Sequence, residues 1–228
     1  MRDSSIILLS GGLDSTAALA WAKTNSDVIM GLTLHYGQRS AQQEIKSSSA
    51  LCAHYDVLHK VVEVSFFSEM ESVALTEGKS SLPSLSMSEL DDADITAHSA
   101  KAVWVPNRNG VFLNMAASFA ENKGASWVVV GFNKEEAQSF PDNSEEFVSK
   151  ANEFFKYSTL TKVKVVSPMG LKTKKEIVKW CLKQKVPLNL LWSCYRGGDK
   201  MCGECESCLR LKRALQANKA LELTEKLF

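Results

Sequence analysis

The residues best suited to chemistry lie near the start of the chain, in the segment Ser10-Gly-Gly-Leu-Asp-Ser-Thr16. This segment follows an apolar run at 6–9 and leads into a stretch with helical character at 16–23. Its two glycines allow the backbone to approach an oxyanion closely, and its successive N–H groups can form a concave anion-binding surface. The N-terminus of the following helix adds positive potential. The segment therefore predicts a phosphate-binding turn for a nucleotide, placed between a strand and a helix.

The spacing of the glycines excludes two common phosphate-binding motifs. A Walker A loop needs four residues between its glycines and then a lysine, and the dinucleotide-binding fingerprint needs GxGxxG. The pattern SGGxDS instead resembles the PP-loop of the ATP pyrophosphatase family. In that family the loop grips the β,γ-pyrophosphate while a substrate oxygen attacks the α-phosphorus, which gives an adenylate and releases pyrophosphate. The alternative is a helix with an ordinary capping residue after a tight turn.

A second chemical centre is a group of cysteines near the end of the chain. Four of the 6 cysteines lie between Cys194 and Cys208 with the spacing C-x7-C-x2-C-x2-C. Four thiolates can close a tetrahedral Zn²⁺ site that has no open position for water, so the predicted zinc has a structural role. Two disulfides and an iron–sulfur cluster are the alternatives. The predicted zinc ligands are Cys194, Cys202, Cys205 and Cys208.

Apolar runs of strand length alternate with helical segments, and this order predicts how the polar segments are positioned. Alternation of this kind is typical of an α/β fold with a Rossmann-like parallel sheet and helices on both faces. Ligands of such sheets bind beyond the carboxyl ends of the strands. The predicted strands are 6–9, 28–34, 60–64, 127–131 and 164–166, and the predicted helices are 16–23, 41–54, 111–122, 144–155, 174–185 and 209–217.

Three further polar segments carry groups that could bind a substrate. Residues 35–39 follow the second strand, residues 105–110 place Arg108 at a turn before a helix, and residues 131–144 form a polar loop with aromatic rings. The guanidinium of Arg108 offers a fork for a carboxylate or phosphate, and a ring such as Phe140 can stack on a flat heterocycle. For each segment the alternative is a plain turn, a helix cap or a simple connection.

Two other stretches are interpreted without a site. Residues 65–102 lose their periodicity and predict an insertion or a mobile excursion. The aspartates at 91, 92 and 94 are interpreted as a solvated acidic loop rather than a cation site. The lysines of the helix at 174–185 are interpreted as a solvated face, although a lysine near its start could reach a phosphate.

Length and charge limit the organisation and the partners of the chain. With 228 residues, the chain is long enough for one α/β domain, and we predict a nucleotide-binding domain over 1–190 with a zinc-binding region over 191–228 packed on it. With 27 basic and 26 acidic residues, the net charge is +1, which demands neither a nucleic acid nor a membrane partner. No apolar run approaches the roughly 20 residues that cross a bilayer and no signal sequence is evident, so we expect a cytoplasmic protein.

Taken in order, the motifs resemble those of the 7-cyano-7-deazaguanine synthase family, often called QueC. The resemblance rests on the segments SGGLDST, YGQR, VPNRNGVFLN, FPDNSEEF, SPM, WSCY and CGECESC. It implies a ligase that forms a C–N bond and converts 7-carboxy-7-deazaguanine and ammonia into the nitrile, with ATP adenylating first the carboxylate and then the amide. It also implies Mg²⁺ with the ATP phosphates and Asp14, no nucleic-acid partner, and a homodimer.

The resemblance assigns roles to individual residues. The catalytic residues are Ser10, Asp14, Ser15 and Arg108. The ATP-binding residues are Leu9, Ser10, Gly11, Gly12, Leu13, Asp14, Ser15, Thr16, Ala17, Ala18 and Leu19. The residues facing the deazaguanine are Tyr36, Gln38, Arg39, Arg108, Asn109, Phe140, Pro141, Asp142 and Glu146. The chain departs from the family pattern at His35, where many members have Asp, and at Asn143 and Ser144, where many have a Cys-Arg pair.

Two competing functions remain at this point. One is another PP-loop enzyme, such as a tRNA thiolase or a deazaguanine-transferring relative; a thiolase should carry a reactive cysteine near the active edge. The other is a non-enzymatic nucleotide-binding module stapled by zinc, which would bind ATP without turnover.

Overall fold

Five parallel strands form the centre of the protein. The computed structural model describes residues 2–70, 74–76 and 81–228. The strands are β1 (Ser4–Leu8), β2 (Asp27–His35), β3 (His59–Glu63), β4 (Trp127–Val129) and β5 (Lys164–Val166). They pair in the order β3-β2-β1-β4-β5. The strand order therefore reverses between β1 and β4, and the crevice beyond the carboxyl ends at such a reversal is where α/β sheets bind ligands.

Helices cover both faces of this sheet. The consecutive residues Ile6 and Ile7 of β1 point to opposite faces, since their side chains belong to different buried clusters. Ile6 packs in a cluster with residues of the helix α4 (Arg108–Lys123), and Ile7 packs in a cluster with residues of α1 (Leu13–Asn25) and α2 (Ala41–His54). The helices are α1 (Leu13–Asn25), α2 (Ala41–His54), α3 (Ala93–Val103), α4 (Arg108–Lys123), α5 (Glu136–Ser139), α6 (Glu145–Ser158), α7 (Lys174–Lys183), α8 (Glu206–Ala217) and α9 (Leu221–Leu227). The predicted Rossmann-like sheet with helices on both faces is confirmed.

Most of the predicted elements are present, and the main correction concerns residues 65–102. The bounds of α2 and β5 agree with the prediction, whereas α1 and α4 each begin three residues earlier than predicted. The expected excursion falls partly on residues 71–73 and 77–80, which lie outside the described residues. Its last part is the helix α3, which begins where the Asp92 side chain accepts hydrogen bonds from the backbone N–H groups of Asp94 and Ile95, both at 3.0 Å. Asp92 is therefore a helix cap rather than part of a solvated loop.

The C-terminal region packs against the body that carries the parallel sheet through a shared apolar cluster. Leu13 of α1, Ile177 of α7 and Leu211 of α8 are each 2% exposed or less and belong to the same cluster as four buried cysteines. The division of the chain at 190/191 stays a prediction. Among the described residues, no helix has both the length and the apolar character needed to cross a lipid bilayer.

Candidate active site and metal centre

A cavity of about 250 Å³ opens at the reversal of the strand order. The segment after β1, the end of β2 and the segment after β4 all contribute to its walls, as the parallel sheet predicts. The start of α4, the segment 140–143, the start of α7 and residues 192–195 complete it. Residues far apart in the sequence therefore meet in one enclosed space.

The backbone conformation of the glycine-rich loop after β1 is fixed by its neighbours, and Gly11 has no room for a side chain. Gly11 has φ +76°, and a Cβ there would lie 2.4 Å from Ser47 Oγ. The Gly11 carbonyl accepts hydrogen bonds from the backbone N–H of Trp192 at 2.8 Å and from Ser47 Oγ at 3.2 Å. No side chain caps the first turn of α1. The N–H groups of that turn are thus available to a ligand, which argues against the simple capped-helix alternative.

Three charged side chains form a buried cluster at the foot of this loop. Lys174 Nζ lies 2.8 Å from Asp14 Oδ2 and 2.8 Å from Glu136 Oε1. The side chains of Lys174 and Asp14 are only 7% and 12% exposed. The second carboxylate oxygen of Asp14, Oδ1, is buried and has no hydrogen-bond partner within the part of the chain that the structure describes. A buried acceptor without a partner costs free energy, so this oxygen is suited to a ligand.

Burial sets the proton affinities of this cluster. It raises the pKa of Asp14 to about 6, against the opposing attraction of Lys174. Burial also opposes the charge on Lys174, but the two carboxylates beside it hold its pKa above the ordinary value. The pKa of Glu136 is lowered, because Lys174 outweighs the effect of burial there. At neutral pH the cluster therefore holds one cation and two carboxylates, with Asp14 the first to take up a proton.

A second charged group, Arg108, also lines the cavity. Its position follows from the turn at Asn107, whose φ of +54° ends the preceding extended segment and lets α4 begin at Arg108. Arg108 Nη1 donates a hydrogen bond to the Tyr36 hydroxyl at 3.1 Å. Burial opposes its charge, but Tyr36 and Asp142 hold its pKa above the ordinary value. Arg108 is therefore a permanent cation facing a cavity, which is a suitable partner for an anionic substrate group.

The four clustered cysteines form a candidate metal centre. Their Sγ atoms all lie within 4.8 Å of one another, and Cys202 Sγ is 3.9 Å from Cys208 Sγ. Four sulfurs at about 2.3 Å from a tetrahedral zinc would be separated by a similar distance. Backbone N–H groups donate to these sulfurs, such as Arg196 N to Cys194 Sγ and Cys205 N to Cys202 Sγ, both at 3.3 Å. The described cysteines form no disulfide, so the disulfide alternative is not supported.

Comparison with known proteins identifies the family. The family described as Queuosine biosynthesis protein QueC matches residues 4–219. The chain belongs to the QueC family. The 7-cyano-7-deazaguanine synthase of Pelotomaculum thermopropionicum is 52% identical over 210 residues, which cover 92% of this chain and 95% of that protein. The protein of the same name from Methanosarcina mazei is 46% identical, and the match covers 92% of this chain and 93% of that protein. The one from Carboxydothermus hydrogenoformans is 45% identical, and the match covers 95% of this chain and 100% of that protein.

The structure brings many of the residues assigned from the QueC resemblance to one cavity. Those that line it are Leu9, Ser10, Gly12, Leu13, Asp14, Ser15, Tyr36, Arg108, Asn109, Phe140 and Asp142. Of the positions that depart from the family pattern, Asn143 lines the cavity and His35 does not.

Other assigned residues lie behind the cavity wall and support it. Thr16 donates a hydrogen bond to the Gly11 carbonyl at 3.4 Å, and Ala17, Ala18 and Leu19 are fully buried in the core. Gln38 bonds to Glu44 at 3.0 Å, and Arg39 bonds to the carbonyl of Ala74 at 3.0 Å. Neither these residues nor Gly11, Pro141 or Glu146 are among the cavity-lining residues. The Gln38 and Arg39 side chains thus form hydrogen bonds within the protein, which the motif alone does not reveal.

The sequence does not single out Lys174, although it allows that a lysine near the start of this helix reaches a phosphate. Lys175 and Lys179 are exposed, as a solvated face predicts, but Lys174 is buried. A signal was available, because Lys174 directly follows the predicted cap Thr173, whose capping box with Glu176 is present. A cation in the first turn opposes the helix dipole, so a lysine at that position suggests a local anionic partner.

Proposed function

We propose that this chain catalyses the ATP-dependent conversion of 7-carboxy-7-deazaguanine and ammonia into 7-cyano-7-deazaguanine, a step in the formation of the queuosine precursor. The observation that carries the proposal is the meeting of a PP-loop and a partly buried arginine in one cavity, in a chain whose relatives are 7-cyano-7-deazaguanine synthases. Such an enzyme is a C–N bond-forming ligase that releases AMP and pyrophosphate.

The PP-loop is assigned to the phosphates of ATP. The free N–H groups at the start of α1, together with Ser10 and Ser15, would hold the β,γ-pyrophosphate that leaves. The two hydroxyls lie 3.2 Å apart, so one phosphate oxygen can be reached by both. Lys174 adds a cation at the foot of the loop, where it would stabilise negative charge as the α–β bond breaks.

Mg²⁺ is expected to accompany the ATP, and the residues present are suited to it. The unpartnered Asp14 Oδ1 and the carboxylate of Glu136 are hard oxygen donors, which Mg²⁺ prefers. When bound, the ion neutralises phosphate charge and supports the in-line displacement. We assign Asp14 as its protein ligand, with Glu136 paired to Lys174 beside it.

The part of the cavity lined by Arg108, Asn109, Asp142 and Asn143 is assigned to the deazaguanine. Arg108 would bind and orient the carboxylate so that one of its oxygens attacks the α-phosphorus. Asn109 donates a hydrogen bond to the backbone carbonyl of Asp142 at 3.2 Å and so fixes the segment that carries Asp142 and Asn143. A carboxylate and an amide can pair with the ring N–H and exocyclic amino groups of a guanine-like edge.

The reaction then needs two similar displacements in one site. In the first, the carboxylate displaces pyrophosphate from ATP to form an acyl adenylate, and ammonia displaces AMP to form the amide with loss of a proton. In the second, the amide oxygen displaces pyrophosphate from another ATP, and loss of AMP and of both amide protons leaves the carbon–nitrogen triple bond. Both displacements release pyrophosphate from the α-phosphorus of ATP, so one PP-loop can serve both.

The cysteine centre is assigned to one structural Zn²⁺. Four thiolates satisfy the tetrahedral preference of zinc and leave no open position for catalysis. We also propose a homodimer, a cytoplasmic location and the two-part division of the chain at 190/191, all of which rest on the sequence and the family resemblance.

The proposal is tested by incubating the purified protein with ATP, Mg²⁺, ¹⁵N-ammonium and 7-carboxy-7-deazaguanine and following the products by mass spectrometry. We expect AMP and a nitrile that carries one ¹⁵N atom. An Asp14→Ala variant should fold, as judged by circular dichroism, but form no AMP. If the wild-type protein binds ATP yet forms no AMP above a control without substrate, the chain is a binding module and the proposal is wrong.

A further inference from the structure

Two aromatic rings face the cavity from segments that are 36 residues apart in the sequence. Trp104 and Phe140 both line the cavity, and their ring planes are nearly parallel, with an interplanar angle of 6° and centroids 6.0 Å apart. Both side chains are only partly buried. Parallel aromatic faces open to a cavity are suited to a flat heterocycle, because rings stack favourably on each other.

The backbone holds both rings firmly. Trp104 ends α3 and lies between Val103 and Val105, which are 5% and 2% exposed. Phe140 ends α5, where its N–H donates to the Glu136 carbonyl at 2.8 Å and its carbonyl accepts from Asn143 at 3.0 Å. A ring held on such a backbone loses little conformational freedom when a ligand binds, which favours affinity.

The two rings together form one aromatic surface. Offset-stacked aromatic pairs have centroids about 4.5–7 Å apart, and the 6.0 Å between Trp104 and Phe140 lies in this range. The pair is therefore stacked directly, and the aromatic wall that it gives the cavity is wider than either ring alone. A flat ligand can stack on this wall without the two rings moving apart.

The polar residues beside the rings indicate which heterocycle is held there. Arg108 follows Trp104 by four residues, and Asp142 follows Phe140 by two; both line the same cavity. A cation and a carboxylate suit a ring that carries a carboxylate on one edge and N–H donors on another. Adenine carries no anionic substituent, so it matches this pair of charges less well.

We propose that Trp104 and Phe140 form the aromatic surface on which the deazaguanine ring stacks, and that Trp104 determines specificity for this substrate. This inference rests on the proposed function, which assigned Phe140 alone to the heterocycle. It also gives residues 93–104 a part in the site, because the helix α3 carries Trp104 to the cavity.

The test compares Trp104→Leu with Trp104→Phe. Stacking of one base on an aromatic side chain is worth about 1–3 kcal/mol, so Trp104→Leu should raise the Kd for 7-carboxy-7-deazaguanine roughly 5- to 150-fold in calorimetry without ATP. Trp104→Phe keeps an aromatic face and should stay close to wild type. The KM for ATP should be unchanged in both variants. Trp127→Leu is the matched control, since Trp127 stacks on Trp21 outside the cavity and its loss should leave both substrates unaffected.

A fluorescence measurement serves if Trp104→Leu does not fold. Binding of the heterocycle should quench tryptophan emission in the wild type, and Trp104→Phe should lose most of that quenching while still binding. An unchanged Kd in Trp104→Leu, undiminished quenching in Trp104→Phe, or a rise in the KM for ATP in place of the heterocycle would each overturn the inference.

The outcomes separate this inference from the proposed function. If the wild type makes the nitrile and Trp104→Leu keeps its heterocycle affinity, only the role of Trp104 is wrong. If the wild type makes no nitrile but binds the heterocycle in a manner that depends on Trp104, the subsite stands and the proposed reaction does not.

Discussion

The ion cluster of Asp14, Glu136 and Lys174 allows a sharp prediction about stability. Replacing Lys174 by Met removes a cation with two contacts of 2.8 Å and leaves two carboxylates, of which Asp14 is 12% exposed and Glu136 is 34% exposed. Breaking a buried ion pair on one side costs about 3–5 kcal/mol, because a charge is left without a partner. Since Glu136 retains access to water, we expect the lower end, about 3 kcal/mol at pH 8.

The pH dependence identifies the cause. The pKa of Asp14 is already raised to about 6 by burial, and loss of Lys174 raises it further. At pH 5 the variant can therefore protonate Asp14 and avoid the uncompensated charge. We expect the destabilisation to fall to less than half of its value at pH 8, or about 1 kcal/mol.

The assay is urea denaturation followed by tryptophan fluorescence at pH 5 and pH 8, with the cysteine centre loaded with zinc. Lys179→Met is the control, because Lys179 is exposed on the same helix and should change the free energy of unfolding by no more than about 0.5 kcal/mol. In an Asp14→Asn background, Lys174→Met should cost at least about 1 kcal/mol less than in the wild type. A loss equal at both pH values, or equal in both backgrounds, would show that packing rather than charge explains the effect.

Three further predictions follow from the site. The pKa of Asp14 is about 6 in the folded protein against an ordinary value of 3.8, so the folded state binds more protons than the unfolded state between these two pH values. The free energy of unfolding should therefore fall as the pH rises from about 4 to about 6. Over the same range kcat/KM for ATP should rise, because the Asp14 carboxylate becomes available to Mg²⁺. Cys205→Ser should release the metal, lower Tm and lower the affinity for ATP, as measured by metal analysis, thermal melting and calorimetry, respectively. Unchanged metal content would contradict a closed four-cysteine site. Gly11→Ala should destabilise the protein by about 1 kcal/mol or more, because Gly11 has a positive φ and a Cβ there would meet Ser47. Gly198→Ala is the control and should not destabilise it, since the atom nearest to a Cβ at that position is 3.7 Å away. Equal melting temperatures of the two variants would refute the steric argument.

The sheet was accessible from the sequence because its signals are local. Each strand is a short apolar run, and each is followed by residues that cannot continue it, such as the glycines after β1. Parallel strands then place their carboxyl ends at one edge, which is why the PP-loop and the segments at 35–39 and 131–133 could be expected to converge. The helices that begin at Leu13 and Arg108 start three residues before the predicted positions, because the turns at Gly12 and Asn107 set their first residues without a side-chain cap.

The parts that escaped prediction depend on contacts across the sequence. Lys174 is buried because Asp14, 160 residues earlier, faces it, and nothing in the lysine-rich helix reveals that partner. Arg39 Nε donates hydrogen bonds to the Ala74 and Thr76 carbonyls, which the motif does not reveal, and the assignment of Arg39 to the substrate stays a prediction. Trp104 lay at the end of a stretch without periodicity, so its pairing with Phe140 could be seen only in three dimensions.

The two chemical centres of this protein share one piece of backbone. The Trp192 N–H donates to the Gly11 carbonyl of the PP-loop at 2.8 Å, and the Trp192 indole donates to the carbonyl of Cys194 at 2.8 Å. On the other side of the cluster, Gly197 approaches the Arg39 carbonyl so closely that a Cβ would lie 2.1 Å from it, and Gln43 bonds to the Gly198 carbonyl at 3.0 Å. The loop between Cys194 and Cys205 buries one large apolar side chain, Met201, and four thiolates on one metal would add to its order. This is why loss of Cys205 is expected to affect ATP affinity as well as stability: the segment that carries the first cysteine also holds the glycine on which the phosphate-binding turn depends.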